Sequence, residues 1–180
     1  MRQTTFTTRQ LVLLPLFAGF GIVLKPVIAP VVNLLTDPLM VTGGSTAGGI
    51  YMAVLLLGKL FSGHRLGGTV IGFLQGVLAL TLGVTGFHGV WAIPIYTAPG
   101  LVMDVLVPLI PWPPRRKLPL CCVAANLTGS LITNVLFFSL PSGAFFLMIC
   151  LGILSGWLGG WLCATLLQKL EVLQRSGFYA

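Results

Sequence analysis

Residues 143–167 read GAFFLMICLGILSGWLGGWLCATLL, twenty-five positions without an Asp, Glu, Lys or Arg. A bilayer-spanning helix needs about 20 consecutive apolar residues, so this segment is read as crossing a membrane. Within it, Gly152-x3-Gly156-x3-Gly160-x3-Ala164 forms a small-residue ridge more than three turns long. Five similar apolar runs precede it, at roughly 11–30, 40–60, 66–84, 91–111 and 118–139. The expected fold is therefore all-α: an integral membrane bundle of six transmembrane helices, filling 1–180 as a single domain. Six spans use about 120 residues and leave about 60 for loops and ends, so no soluble domain fits. Arg2 and Arg9 before the first run also suit a cleaved signal peptide, but no small-x-small cleavage site follows. The first run is read as a mature helix.

Composition points the same way. Of the 180 residues, 56% are hydrophobic and 7% charged, and the mean hydropathy is +1.01. Soluble domains carry about 25% charged residues. An aqueous enzyme, a secreted disulfide scaffold and a disordered regulator are excluded. The cysteines Cys121, Cys122, Cys150 and Cys163 lie in apolar runs without zinc-site spacing, as small packing residues do. No metal site is expected.

The basic residues give the orientation. Arg2 and Arg9 precede span 1; Lys59 and Arg65 fall between spans 2 and 3; Arg115, Arg116 and Lys117 fall between spans 4 and 5; Lys169 and Arg175 follow span 6. Nine of the ten basic residues thus share one side, and the tenth, Lys25, lies within span 1. The positive-inside rule places that side, with both termini, in the cytoplasm of a multi-pass cell-membrane protein. The net charge of +7 is explained by topology, and no nucleic acid is expected.

Helices in lipid associate where small residues let backbones approach. Besides the ridge in span 6, span 3 carries Gly68, Gly72 and Gly76, span 2 opens with Gly43, Gly44, Gly48 and Gly49, and span 1 has Ala18, Gly19 and Gly21. Such ridges serve internal packing or the docking of a second membrane protein. Ala18, Gly19, Gly21, Gly156 and Gly160 are the docking candidates. The ridges in spans 3 and 6 would be equivalent in a 3+3 duplication, but the remaining residues do not align.

Asp37 and Glu171 read as solvated, whereas Asp104 sits in LVMDVLV without a polar neighbour. A charge in lipid faces a partner or a cavity, so Asp104 is a substrate-binding candidate. Lys25, followed by Pro26 and Pro30, snorkels outward, pairs with Asp104 or meets an anionic ligand group. Residues 83–100, GVTGFHGVWAIPIYTAPG, carry too much Gly and Pro for one uninterrupted helix. They bring His88, Trp91 and Tyr96 towards the outside, as a membrane-interface belt or as the wall of an outward-open pocket. Asn126, Ser130 and Asn134 share one face of span 5, with Thr133 alongside. Thr133 and Asn134 lie level with that pocket; Gln75 and Tyr51 lie near mid-depth.

Catalysis lacks its parts. Metal-assisted or acid–base chemistry in the membrane needs clustered acids, and Asp104 stands alone. Ser45 in GGSTAGG misses the nucleophile elbow because Ala47 replaces its second glycine. Gly58-Lys59-Leu60 is no phosphate loop. The chain is expected to be neither an enzyme nor a holder of a cofactor.

Size, topology and the stretches GGSTAGGIYMAVLLLGKLF (43–61), IGFLQGVLALTLGVTG (71–86) and YTAPGLVMD (96–104) resemble the substrate-binding S-components of energy-coupling-factor transporters. The resemblance implies a subunit that binds a water-soluble vitamin or precursor from outside. It further implies a transmembrane coupling protein and two cytoplasmic ATPases as partners. The family's Ala-x3-Ala docking pattern in the first helix has no counterpart here; Ala18, Gly19 and Gly21 stand in its place. A thiamine-related ligand is the first expectation, with a pyrimidine precursor, a zwitterion or a carboxylate held by Lys25 as alternatives. The other class of function is a small channel or structural membrane protein acting without an ATPase.

The topology is checked by cysteine labelling in a background freed of native cysteines. Cysteines replacing Arg2, His64, Arg116 and Ser176 should react only from the cytoplasm, and one replacing Asp37 only from outside. Reaction of 37 and 116 from the same side would contradict six spans.

Overall fold

The computed structural model describes the backbone of residues 6–36, 38, 43–84 and 86–176, with side chains for all of these except 86–88 and 171–176. It is about 90% helical, without strands among the described residues. The helices are α1 (Thr8–Thr36), α2 (Gly43–Ser62), α3 (Gly67–Thr81), α4 (Ala92–Leu109), α5 (Pro114–Thr133) and α6 (Ser142–Ser176). All but α3 are long and apolar enough to cross a bilayer. With 15 residues, α3 is about 22 Å long, short of the roughly 30 Å hydrocarbon layer. The run expected over 66–84 therefore contains a shorter helix, and α1 and α6 run further than their expected spans.

Local signals set the ends. Thr7 and Gln10 form a capping box on α1: the Thr7 N–H donates to Gln10 Oε1 (3.0 Å), and the Gln10 N–H to Thr7 Oγ1 (3.4 Å). Pro113 and Pro114 open α5, where a missing N–H costs nothing. It ends in a π turn, Asn134–Phe138, followed by Ser139 at φ 46°. Asn134 closes that turn, its Oδ1 accepting the Leu140 N–H (3.1 Å) and its carbonyl the Ser139 N–H (3.0 Å). After α3, Gly83 at φ 68° allows a Schellman ending, with Val84 N–H donating to the Ala79 carbonyl (3.1 Å). The expected irregularity of 83–100 is confined to its first part: two short 3-10 turns broken at Gly89 (φ 51°, ψ −132°) precede α4, and Pro99 lies inside a continuous helix.

Side-chain bonds gather the basic loops at one end of the bundle, here termed the basic end. Gln10 Nε2 donates to the Ser62 carbonyl (2.9 Å), and Phe6 stacks on His64 at 4.2 Å between ring centroids. Arg115 Nε reaches Gln168 Oε1 (3.0 Å). Arg9, Arg65, Arg115, Arg116 and Lys169 are exposed there. Elsewhere the outer surface is apolar, with Leu11, Leu16, Phe20, Val23, Val27, Leu154, Trp157 and Trp161 all exposed.

The glycine ridges are internal. On α3, a Cβ on Gly68 would lie 2.7 Å from the Gly100 carbonyl oxygen and one on Gly76 2.8 Å from Ile93 Cα, while Gly72 abuts the Tyr96 carbonyl. On α6, a Cβ on Gly156 would lie 2.7 Å from Val123 Cα, and Gly160 abuts Pro119. Gly49 and Gly159 meet where α2 crosses α6, and the Gly49 N–H donates to Ser155 Oγ (2.9 Å). Asn126 joins α5 to both partners, its Nδ2 donating to the Ser45 carbonyl (3.0 Å) and the Gly152 carbonyl (2.9 Å). On α1, Ala18 is fully buried and Gly21 abuts the Gln75 side chain.

This corrects the docking candidates. Ala18, Gly21, Gly156 and Gly160 are consumed by packing within the bundle, because backbones can approach there only without side chains. Gly19 alone of the five has open space where a Cβ would stand.

Gly156→Leu and Gly160→Leu should each cost about 1–3 kcal/mol, the usual penalty of overpacking. Gly19→Leu should leave the melting temperature unchanged. Melting curves of the purified protein check both.

Candidate functional site

Asp104 lies near the basic end, and its side chain is 2% exposed. Its carboxylate is fully engaged. Oδ1 pairs with Lys59 Nζ and accepts the Gly68 N–H (2.9 Å). Oδ2 accepts both the N–H and the hydroxyl of Thr69 (each 2.6 Å). Lys59 also donates to the Arg65 carbonyl (3.2 Å). The opening N–H groups of a helix lack intrahelical acceptors, and here each finds one. Leu66 uses His64 Nδ1 (3.2 Å), Gly67 the His64 carbonyl (3.1 Å), and Gly68 and Thr69 use Asp104. Asp104 thus caps α3 from a neighbouring helix, adding a negative charge at the positive end of its dipole.

The partner of Asp104 is therefore Lys59, which the sequence reading had placed in the 2–3 loop, and not Lys25. Alternating helices place Lys25 in the far half of α1, whereas Asp104 stands five residues before the end of α4 at the basic end. Asp104 is accordingly not offered to a ligand at the far end, and a thiamine-like cation loses the acid that favoured it.

The far end holds a different arrangement. Leu14, Ala18, Gly21 and Ile22 form the buried stripe of α1, and Lys25 continues that stripe at helical spacing. Its ammonium lies 3.5 Å from the centre of the Tyr96 ring and 5.2 Å from that of Tyr51. Among the described residues no carboxylate is within ion-pair distance of Lys25; the ion pair found there is Lys59–Asp104. Cation–π contact contributes about 0.5–2 kcal/mol, and Lys25 is half-buried.

Beside this cluster is a cavity of about 270 Å³ lined by Lys25, Pro26, Ala29, Gly44, Tyr51 and Val84. Its walls follow from local chain chemistry. Pro26 and Pro30 supply no N–H to the α1 ladder, so the carbonyls four residues earlier lose their helical donors. Gly44 in the first turn of α2 leaves open space. The Schellman turn sets Val84 at the rim. Tyr51 is 8% exposed, and its buried hydroxyl has no hydrogen-bond partner among the described residues. The hydroxyl of Thr46, in the same helix, is also buried without a partner there.

Of the expected binding residues, Lys25, Tyr51 and Tyr96 come together. Gln75 is buried against Gly21, where its side chain sets the α1–α3 spacing. Thr133 Oγ1 bonds back to the Gly129 carbonyl (2.8 Å), and Asn134 closes the π turn. Neither lines the cavity. Trp91 is 55% exposed at the start of α4, as an interface residue is. The side chain of His88, like Asp37, lies outside the described residues. Lys59, Thr69 and the lining residues Pro26, Ala29, Gly44 and Val84 were missed. Counting depth from the helix ends would have found Lys59, since it and Asp104 both stand within about two turns of the basic end.

Asp104→Asn should destabilise the protein by roughly 3–5 kcal/mol, the cost of stranding a buried ion-pair partner. Lys59→Met made with it should recover part of the loss, whereas Lys25→Met should not. Melting curves of the single and double variants decide this.

Comparison with protein-family models, curated proteins and solved structures finds no match, so the function rests on the residues of this site.

Proposed function

We propose that the chain is the membrane-embedded substrate-binding subunit of an importer of the energy-coupling-factor type. In this reading it captures a water-soluble vitamin or vitamin precursor from outside and delivers it with the help of partner subunits. The observation that carries the reading is the cavity at the end opposite the basic loops, with Lys25, Tyr51 and Tyr96 beside it. The positive-inside rule orients the basic end to the cytoplasm, so the cavity faces outward in the cell membrane. Pockets between bundle helices, apolar with a few convergent polar groups, suit small ligands.

A capture site of this kind needs an external energy source, because the sequence has no phosphate-binding loop. A transmembrane coupling protein and two cytoplasmic ATPases fill that role. The meeting surface on this chain is the outer face of α1, where Gly19 lies open between exposed Leu16, Phe20 and Val23. A small residue there lets a partner helix approach closely.

Uptake in membrane vesicles tests the proposal, with the molecule that co-purifies with the detergent-solubilised chain, identified by mass spectrometry, as the substrate. Accumulation should require ATP together with the coupling protein and ATPases, and Gly19→Leu should abolish it while ligand binding persists. Uptake by this chain alone would assign it to the channels instead.

A further inference from the structure

We propose that the far-end cavity binds a small organic carboxylate, with Lys25 as its counter-ion and Tyr51 as a second donor. The proposal rests on the capture reading and names the chemical class of its ligand. Three observations converge on it. The Lys25 ammonium is held against two ring faces and lines the cavity. Ring faces accept the charge but not all of the N–H groups, and an ammonium has three donors. Tyr51 lines the same cavity, and its hydroxyl is buried without a partner among the described residues. A buried hydroxyl in that state is satisfied by an incoming acceptor. The cavity is also bordered by the first turn of α2, which carries no acidic residue and whose dipole favours negative charge.

The rest of the lining sets size and polarity. Pro26, Ala29 and Val84 present hydrocarbon, which suits an apolar or aromatic body behind the charged group. The volume of about 270 Å³ lies just below the roughly 300–1,000 Å³ of pockets for drug-sized ligands. A compact monocarboxylate fits this description. Among the described residues no acid lines the cavity to favour a cation, and Asp104 is bonded at the opposite end.

The test uses the full chain in phosphatidylcholine nanodiscs and three matched probes: benzoate, benzamide and benzylammonium. Equilibrium dialysis and thermal shifts should show benzoate binding at least about tenfold tighter than the other two, the effect of one charge-assisted contact. Lys25→Met should abolish that preference and Lys25→Arg should keep it. Tyr51→Phe removes only the unpartnered hydroxyl; it should weaken benzoate by about tenfold without lowering the melting temperature of the unliganded protein. Equal binding of the three probes, a preference for benzylammonium, or no benzoate binding at millimolar concentration would overturn the proposal. Benzoate binding untouched by Lys25→Met and Tyr51→Phe would do the same. Displacement of benzoate by phosphatidylglycerol added to the nanodiscs would reassign the site to a lipid headgroup and also overturn it. A preference for the cationic probe leaves the capture function standing, whereas carboxylate binding combined with uptake by the chain alone leaves the ligand class standing and removes the importer.

Discussion

One carboxylate fixes the register of this bundle. Asp104 meets Lys59 of α2 and the first turn of α3 from its place on α4, so three helices are tied at a single point. Each bond is charge-assisted, and such bonds are stronger than neutral ones. A buried ion is tolerated only when its partners are complete, which leaves α3 little freedom to slide. The glycines of α3 then fall opposite Gly100, Tyr96 and Ile93 of α4. The close approach of those two backbones fixes where Tyr96 stands. Eight residues from Asp104, or about 12 Å along a helix, the Tyr96 ring meets Lys25 of α1. The far-end cluster thus inherits its position from the basic-end staple.

The shortness of α3 has the complementary effect. Its start is pinned by Asp104 and its end is cut by Gly83, so it is too short to fill the bilayer thickness on its own. The chain then turns through Val84 and the 3-10 segment before α4 begins. Irregular backbone at membrane depth needs cover from protein or a water-filled cavity. Here the cavity lies directly beside it, with Val84 in its wall. Breaking the helix and opening the pocket are one feature of the chain.

Five long apolar helices were legible because lipid imposes a length and a polarity that few sequences meet by accident. GAFFLMICLGILSGWLGGWLCATLL could scarcely be anything else, and the ends of α2 and α4 fell within a few residues of expectation. The glycine ridges were legible as close contacts but not as to partner, since Gly19 and Gly21 look alike in sequence and point in different directions. The cluster of Lys25, Tyr51 and Tyr96 was readable one residue at a time from polar chemistry in apolar runs. Asp104 was misplaced for a physical reason. A carboxylate bound to backbone N–H groups leaves no pattern around itself that names its partners. Asn134 was misread similarly: a side chain that closes its own helix has the same letters and spacing as one that faces a ligand.

The two lysines inside the bundle are held in different ways. Lys59 is matched to a carboxylate that four donors saturate, so a ligand could engage it only by stranding Asp104. That exchange costs several kcal/mol and would release the start of α3 with it. Lys25 rests on aromatic faces, which accept its charge without using all its hydrogen-bonding capacity. An incoming anion can therefore add to what the rings supply without displacing them. Burial strengthens that added interaction, because the effective dielectric is lower than in water. The ion that holds the fold is closed to exchange, and the ion at the cavity is held in a way that stays open to it.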